Sequence, residues 1–248
     1  MSSLTVPFAP AQASELKTGV LIRRLPRGQP IVLARSACVS CGRGLAVRDL
    51  VPVLSFLLLR GRCRTCHAPI GVFHLAIELT AVAVALWAAL TLAEPDWVWA
   101  SCVLGWTLLA LGWIDVEHMM LPDVLTLPLL LAGLGATLLL DPGDALDHAL
   151  GAVVGYLAFR AIAAGYRAWR GHDGLGGGDA KLLAAAGAWL GWQALPWVVL
   201  EASLAGIAAA LVAHLLGRRI SRTTALPFGS FIAAAVWLVW LYGVPFAE

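Results

Sequence analysis

Polar and apolar positions divide the chain unevenly. Residues 1–72 are polar, basic and broken by Pro and Gly, and seven apolar runs follow: His74 to Ala93, Trp97 to Trp113, Val124 to Leu140, Leu146 to Tyr166, Ala180 to Gln193, Leu195 to Leu216 and Phe228 to Tyr242. Most approach the roughly 20 residues that a helix needs to cross the hydrocarbon core. The fifth is short, since Ala180 to Gln193 at about 1.5 Å per residue covers only about 21 Å. The pattern predicts an all-α polytopic membrane protein with about seven transmembrane helices over residues 73–248, preceded by a basic solvent-side region over residues 1–72. Within that region Leu50 to Leu59 is apolar but too short to span, and is expected to lie against the membrane or the helices.

Composition agrees with the pattern. The chain of 248 residues is 60% hydrophobic and 13% charged, with a mean hydropathy of +0.83, far more apolar than a soluble domain of this length. Met1 to Pro10 has neither a basic start nor an apolar core, so no cleaved signal peptide is expected. A net charge of +2 points to no nucleic-acid partner.

The placement of the cations is more informative. Lys17, Arg23, Arg24, Arg27, Arg35, Arg43, Arg48, Arg60, Arg62 and Arg64 precede the first run; Arg167, Arg170 and Lys181 flank a Gly-rich loop; Arg218, Arg219 and Arg222 form a third group, and Arg160 lies inside a run. If all seven runs cross the bilayer, the three groups share one side and the opposite loops contain no Lys or Arg. By the positive-inside rule that side is cytoplasmic, which puts the N-terminus inside and the C-terminus outside. Trp97, Trp99, Trp113, Trp192 and Trp197 fall near run ends, as interfacial anchors do.

Four of the five cysteines form two knuckles, Cys38-x-x-Cys41 and Cys63-x-x-Cys66, with residues 42–62 between them. This spacing is close to that of a zinc ribbon, in which four thiolates at about 2.3 Å close a tetrahedral site and fold a segment with little core of its own. His67 is then a bystander. Two disulfides are the alternative, which a reducing cytosol disfavours. Cys102 is a lone thiol in an apolar run, where packing explains it.

Two acids stand apart from the rest. Asp179 follows the glycines of Gly174-Leu-Gly-Gly-Gly-Asp-Ala-Lys181, where Gly176 and Gly178 would leave room for a substrate backbone beside the carboxylate. The plain alternative is a flexible loop whose Asp caps a helix starting at Ala180. Asp115 ends the apolar run Leu108 to Ile114 and, in the topology above, reaches the same membrane surface; an ionisable residue at that depth is a functional candidate. Asp123, after Pro122 and before an apolar run, is expected as a helix N-cap, and Lys181 as a side chain snorkelling to the interface. Asp173 is expected as a surface charge.

Two aspartates on neighbouring helices suggest an aspartic-protease pair that shares one proton, one member activating water and the other protonating the scissile carbonyl. A metal hydrolase built from Asp115, His118, Asp123, His172 and Asp179 is the second enzymatic reading, although the spacings match no familiar zinc pattern. A proton-coupled transporter using Glu78 and Glu201, with Arg160 as a possible partner in the bundle, is the alternative of another class, against which stands the lack of an inverted repeat. A zinc-anchored scaffold without activity is a third.

Taken in order, Cys38-x-x-Cys41, Cys63-x-x-Cys66, Asp115 with Leu121-Pro122-Asp123, and Gly176-x-Gly178-Asp179 followed by Ala180-Lys-Leu-Leu183 resemble the bacterial type IV prepilin peptidases, aspartic proteases of the GxGD kind. Arg24 to Gly28 (RLPRG), Ser55 to Arg64 (SFLLLRGRCR) and Gly187 to Pro196 (GAWLGWQALP) extend the resemblance over Gly19 to Gly243. It implies that Asp115 and Asp179 are catalytic and that the four cysteines bind structural Zn2+ in a cytoplasmic domain. It also implies removal of the short basic leader from prepilins or pseudopilins, after a Gly, at the cytoplasmic face of the inner membrane. Many members with the cysteine domain also methylate the new N-terminus with S-adenosylmethionine, for which no loop of this sequence is assigned.

One feature departs from the family. Members usually begin with a transmembrane helix before the RLPRG stretch, and here Leu16 to Leu25 (LKTGVLIRRL) is all that stands in its place. Either that span is lacking or the start is truncated, which bears on methylation more than on the downstream aspartates.

Overall fold

Each of the seven apolar runs after residue 72 forms a helix, while most of Leu50 to Leu59 lies outside the described residues. The computed structural model describes residues 40–43, 58–69, 72–171, 174–217 and 226–244, with backbone alone at 72–74. Its helices are α1 (Val72–Thr91), α2 (Pro95–His118), α3 (Asp123–Leu140), α4 (Ala145–Arg170), α5 (Gly177–Leu190), α6 (Leu195–Leu215) and α7 (Phe228–Tyr242), with one 3-10 turn at Pro142–Asp144. Among the described residues no strand occurs beyond an isolated bridge between Arg62 and Pro69.

The helix ends have local causes. Pro95 opens α2 at a position whose N–H has no intrahelical acceptor anyway. Gly171 closes α4 in the left-handed region at φ +76°, its N–H donating to the Arg167 carbonyl at 2.8 Å. Arg167 and Arg170 in that last turn face the negative end of the helix dipole.

Among the described residues four helices, α2, α3, α4 and α6, are by length and composition able to cross a membrane. The chain is therefore an all-α polytopic membrane protein, and the count of seven crossings is not carried by helix length alone. α7 has 15 residues and α5 only 14, about 21 Å.

The shortest helix is the centre of the bundle. α5 packs against α3, α4, α6 and α7, and Asp179, Ala180 and Leu182 to Trp189 are buried. Lipid is as apolar as leucine, so helices in a bilayer associate through close packing of small residues rather than through hydrophobicity. α4 and α5 show this: a Cβ added at Gly155 would lie 2.6 Å from the Leu183 carbonyl oxygen, and one at Gly187 would strike the Gly151 backbone.

The two ends of the bundle differ in chemistry. At one, Trp189 donates its indole N–H to the Leu129 carbonyl at 2.8 Å and Trp240 donates to Ser101 Oγ at 2.7 Å, the two rings meeting edge to face. At the other, the end of α2 and the starts of α3, α5 and α7 converge on Asp115 and Asp179.

Candidate active site

Helix α2 continues past the expected end of its run to His118, so Asp115 lies inside its last turn, only 5% exposed. Its Oδ2 accepts the Ser230 N–H at 2.9 Å, and the Gly229 amide also donates to the carboxylate. Both donors belong to the first turn of α7, whose N–H groups have no acceptor within their own helix and form its positive end. Asp115 is thus held by a helix remote in sequence.

Asp179 is held by its own helix. α5 starts at Gly177 and not Ala180, which makes Asp179 its third residue rather than its cap. The carboxylate turns back to accept the Gly176 N–H at 3.2 Å, and it is 8% exposed. A Cβ at Gly176 would stand 3.1 Å from that carboxylate oxygen, so the missing side chain leaves the return path clear. Gly178 serves packing: a Cβ there would meet Leu121 Cβ at 2.8 Å. Of the three consecutive glycines, Gly177 alone faces open space.

The two carboxylates interact electrostatically across the buried end of the bundle. Leu121 lies between their supports, against Gly178 on one side and against Gly229 on the other, where a Cβ would be 2.7 Å from Leu121 Cδ1 and 3.0 Å from Asp115 Oδ2. Small residues and one leucine therefore bring α5, α7 and the α2–α3 turn together around the acids.

Neighbouring polar residues take other roles than the sequence suggested. Asp123 makes no cap hydrogen bond; it pairs with Lys181 Nζ at 2.5 and 2.7 Å, tying the start of α3 to α5, so Lys181 does not simply snorkel. Both partners are partly exposed, which keeps the pair weak. His118 lies 3.7 Å from Glu117 at the surface. Among the described residues the acids and His118 form no cluster with metal-ligand spacing. His172, Asp173 and Arg218, Arg219 and Arg222 lie outside the described residues. Neither oxygen of Glu78, nor Oε2 of Glu201, has a hydrogen-bond partner among the described residues.

The cysteines form a separate centre. The Sγ atoms of Cys41, Cys63 and Cys66 all lie within 4.8 Å of one another, while Cys38 lies outside the described residues. Thiolates bound to one zinc at about 2.3 Å sit about 3.8 Å apart, so three sulfurs so grouped fit a metal with little adjustment. The residue after each knuckle has the same left-handed backbone, Gly42 at φ +68° and His67 at φ +54°. His67 donates its N–H back to the Cys63 carbonyl at 3.0 Å and Cys63 donates to Ala68 at 2.9 Å, which turns the second knuckle into a tight hairpin.

Sequence reasoning missed Gly229 and Ser230, and it placed Leu121 in a motif without its packing role. A weak signal existed in Pro227-Phe228-Gly229, a proline followed by a glycine in the first turn of an apolar run, since an isolated helical glycine usually has a packing reason.

Known proteins carry the same arrangement of sequence. Residues 102–211 match the type IV leader peptidase family and residues 16–92 match the bacterial peptidase A24 N-terminal domain. A Burkholderia pseudomallei protein named prepilin leader peptidase/N-methyltransferase is 44% identical over 222 residues, covering 90% of this chain and 72% of the relative. Proteins of the same name from Aeromonas hydrophila and Pseudomonas aeruginosa are 42% and 38% identical, each over 86% of this chain and 73% of their own length. No solved structure matches. At this identity and coverage, the chain belongs to the type IV leader peptidase family.

Proposed function

We propose that the protein is a membrane aspartic endopeptidase that removes the short leader from prepilins or pseudopilins, with Asp115 and Asp179 as its catalytic pair. The observation that carries this reading is the meeting of two buried acids, from α2 and α5, at one end of the bundle. Two like charges so placed cannot both ionise cheaply, so the pair holds one proton and titrates as a unit. The ionised member takes a proton from water, whose oxygen attacks the scissile carbonyl carbon. The protonated member gives its proton to the carbonyl oxygen. Collapse of the tetrahedral intermediate breaks the C–N bond, and the departing amine takes up a proton from the pair. No covalent intermediate forms. The open flank at Gly177 is the approach for the substrate backbone, with Gly176 and Gly178 shaping the turn beside it.

The same reading assigns the other features. Arg167, Arg170 and Lys181 lie at the end of the bundle that carries the aspartates, which supports a cytoplasmic active site in the inner membrane by the positive-inside rule. Residues 1–72 form a cytoplasmic domain in which Cys38, Cys41, Cys63 and Cys66 hold Zn2+, and residues 73–248 form the peptidase domain within the lipid bilayer. Zinc there supplies cross-linking and no step of the cleavage. The relatives' shared name supports N-methylation of the new N-terminus with S-adenosylmethionine as a second activity.

The test is cleavage of a prepilin-like substrate by the purified, reconstituted protein, with both products weighed by mass spectrometry. A leader ending in Gly and its complementary fragment are expected, and a methylated fragment when S-adenosylmethionine is present. Solute flux in sealed vesicles with no cleavage would instead favour the transporter.

A further inference from the structure

We propose that the first turn of α7 is a positioning element of the active site, with Gly229 as its key residue and Leu121 as the spacer that sets it against α5. This rests on the aspartic-peptidase reading of Asp115 and Asp179. Three observations meet at this point. The Gly229 and Ser230 amides both hydrogen-bond the Asp115 carboxylate, Ser230 donating to Oδ2 at 2.9 Å, so the α7 turn fixes the orientation of that carboxylate. Gly229 has no room for a side chain, because a Cβ would lie 2.7 Å from Leu121 Cδ1 and 3.0 Å from Asp115 Oδ2. Leu121 also rests on Gly178, in the turn that carries Asp179.

The consequence is a three-part gauge. The α7 turn fixes the orientation of Asp115, the α5 turn fixes Asp179 through Gly176, and Leu121 keeps the two turns at a set separation. Ser230 Oγ does not take part; it donates to the Pro227 carbonyl at 2.6 Å and closes the α7 turn on itself. A pair that shares one proton across a bound water depends on spacing, and misplacement by about 1 Å can lower a rate by about a hundredfold.

The test is a double-mutant cycle read in steady-state kinetics on folded, monodisperse protein. Gly229→Ala should lower kcat by about tenfold or more with KM within about twofold, since the pair and not the substrate contact is displaced. Leu121→Ala should lower kcat by a smaller factor of about threefold to tenfold. The double variant Gly229→Ala with Leu121→Ala should be less impaired than the product of the two single losses, because the methyl that the new Cβ strikes is gone while its approach to Asp115 Oδ2 remains. Gly178→Ala with Leu121→Ala should combine additively, because that contact is to Leu121 Cβ, which alanine retains. Leu211→Ala, exposed on α6 and remote from the pair, should stay at the parental rate.

If Gly229→Ala does not fold, the Gly229→Ala, Leu121→Ala pair carries the comparison. A folded Gly229→Ala with parental kcat, or full additivity of Gly229→Ala with Leu121→Ala, overturns the positioning role while Asp115→Asn remains inactive. An active Asp115→Asn overturns the underlying reading instead.

Discussion

Helices α5 and α6 are neighbours in sequence and opposites in role. α6 is the most apolar of the four helices of spanning length, yet Leu200, Leu204, Ile207, Leu211, Val212 and Leu215 are exposed. α5 is the shortest helix, rich in alanine and glycine, and it is buried from Asp179 to Trp189 except at Lys181. In water the more apolar helix would be the core. In a bilayer apolarity gains nothing by leaving lipid, and the helix with the smallest side chains lets the others come closest. Burial then does chemical work: the start of the buried helix carries Asp179, and its packing against α7 brings it to Asp115.

The largest expected effect that would break this contrast comes from α5 itself. Gly187→Leu drives a side chain into the Gly151 backbone and should destabilise the bundle by about 3 kcal/mol or more, seen as a marked drop in the detergent unfolding midpoint. An unchanged midpoint would mean that α4 and α5 are not in contact there. Cys63→Ser should bring bound zinc well below one per chain by elemental analysis. It should leave the unfolding midpoint of the helical bundle nearly unchanged, because the knuckle is a separate centre. Lys181→Met should cost only about 0.2 to 1 kcal/mol, since the pair with Asp123 is partly exposed. Smallest of all, Leu211→Ala on α6 should shift stability by no more than about 0.5 kcal/mol, and a larger loss would show that α6 packs where it is here exposed.

Much of the fold was legible from periodicity, and what escaped depended on contacts distant in sequence. All seven apolar runs are helices, with ends displaced by a few residues where a local cause was ambiguous. α5 begins three residues earlier than expected because Gly177 and Gly178 accept helical backbone once Asp179 can bond the Gly176 N–H. Asp123 looked like a cap because the sequence places it before an apolar run; its actual partner, Lys181, lies 58 positions away. Asp115 and Asp179 could be singled out as acids at a membrane edge, but not what holds them. The amide that grips Asp115 comes from Ser230, 115 positions later. Leu121 as a spacer follows only from the approach of three helices, which no local pattern encodes.

The central claim is that Asp115 and Asp179 work as one unit. Its most direct measurement is the single-turnover cleavage rate of a prepilin-like substrate by reconstituted Asp115→Asn and Asp179→Asn proteins whose folding matches the parent. Each should lose about a thousandfold or more in rate, and the double variant should be scarcely slower than either single one. Cleavage at the parental rate by either folded variant would contradict the account.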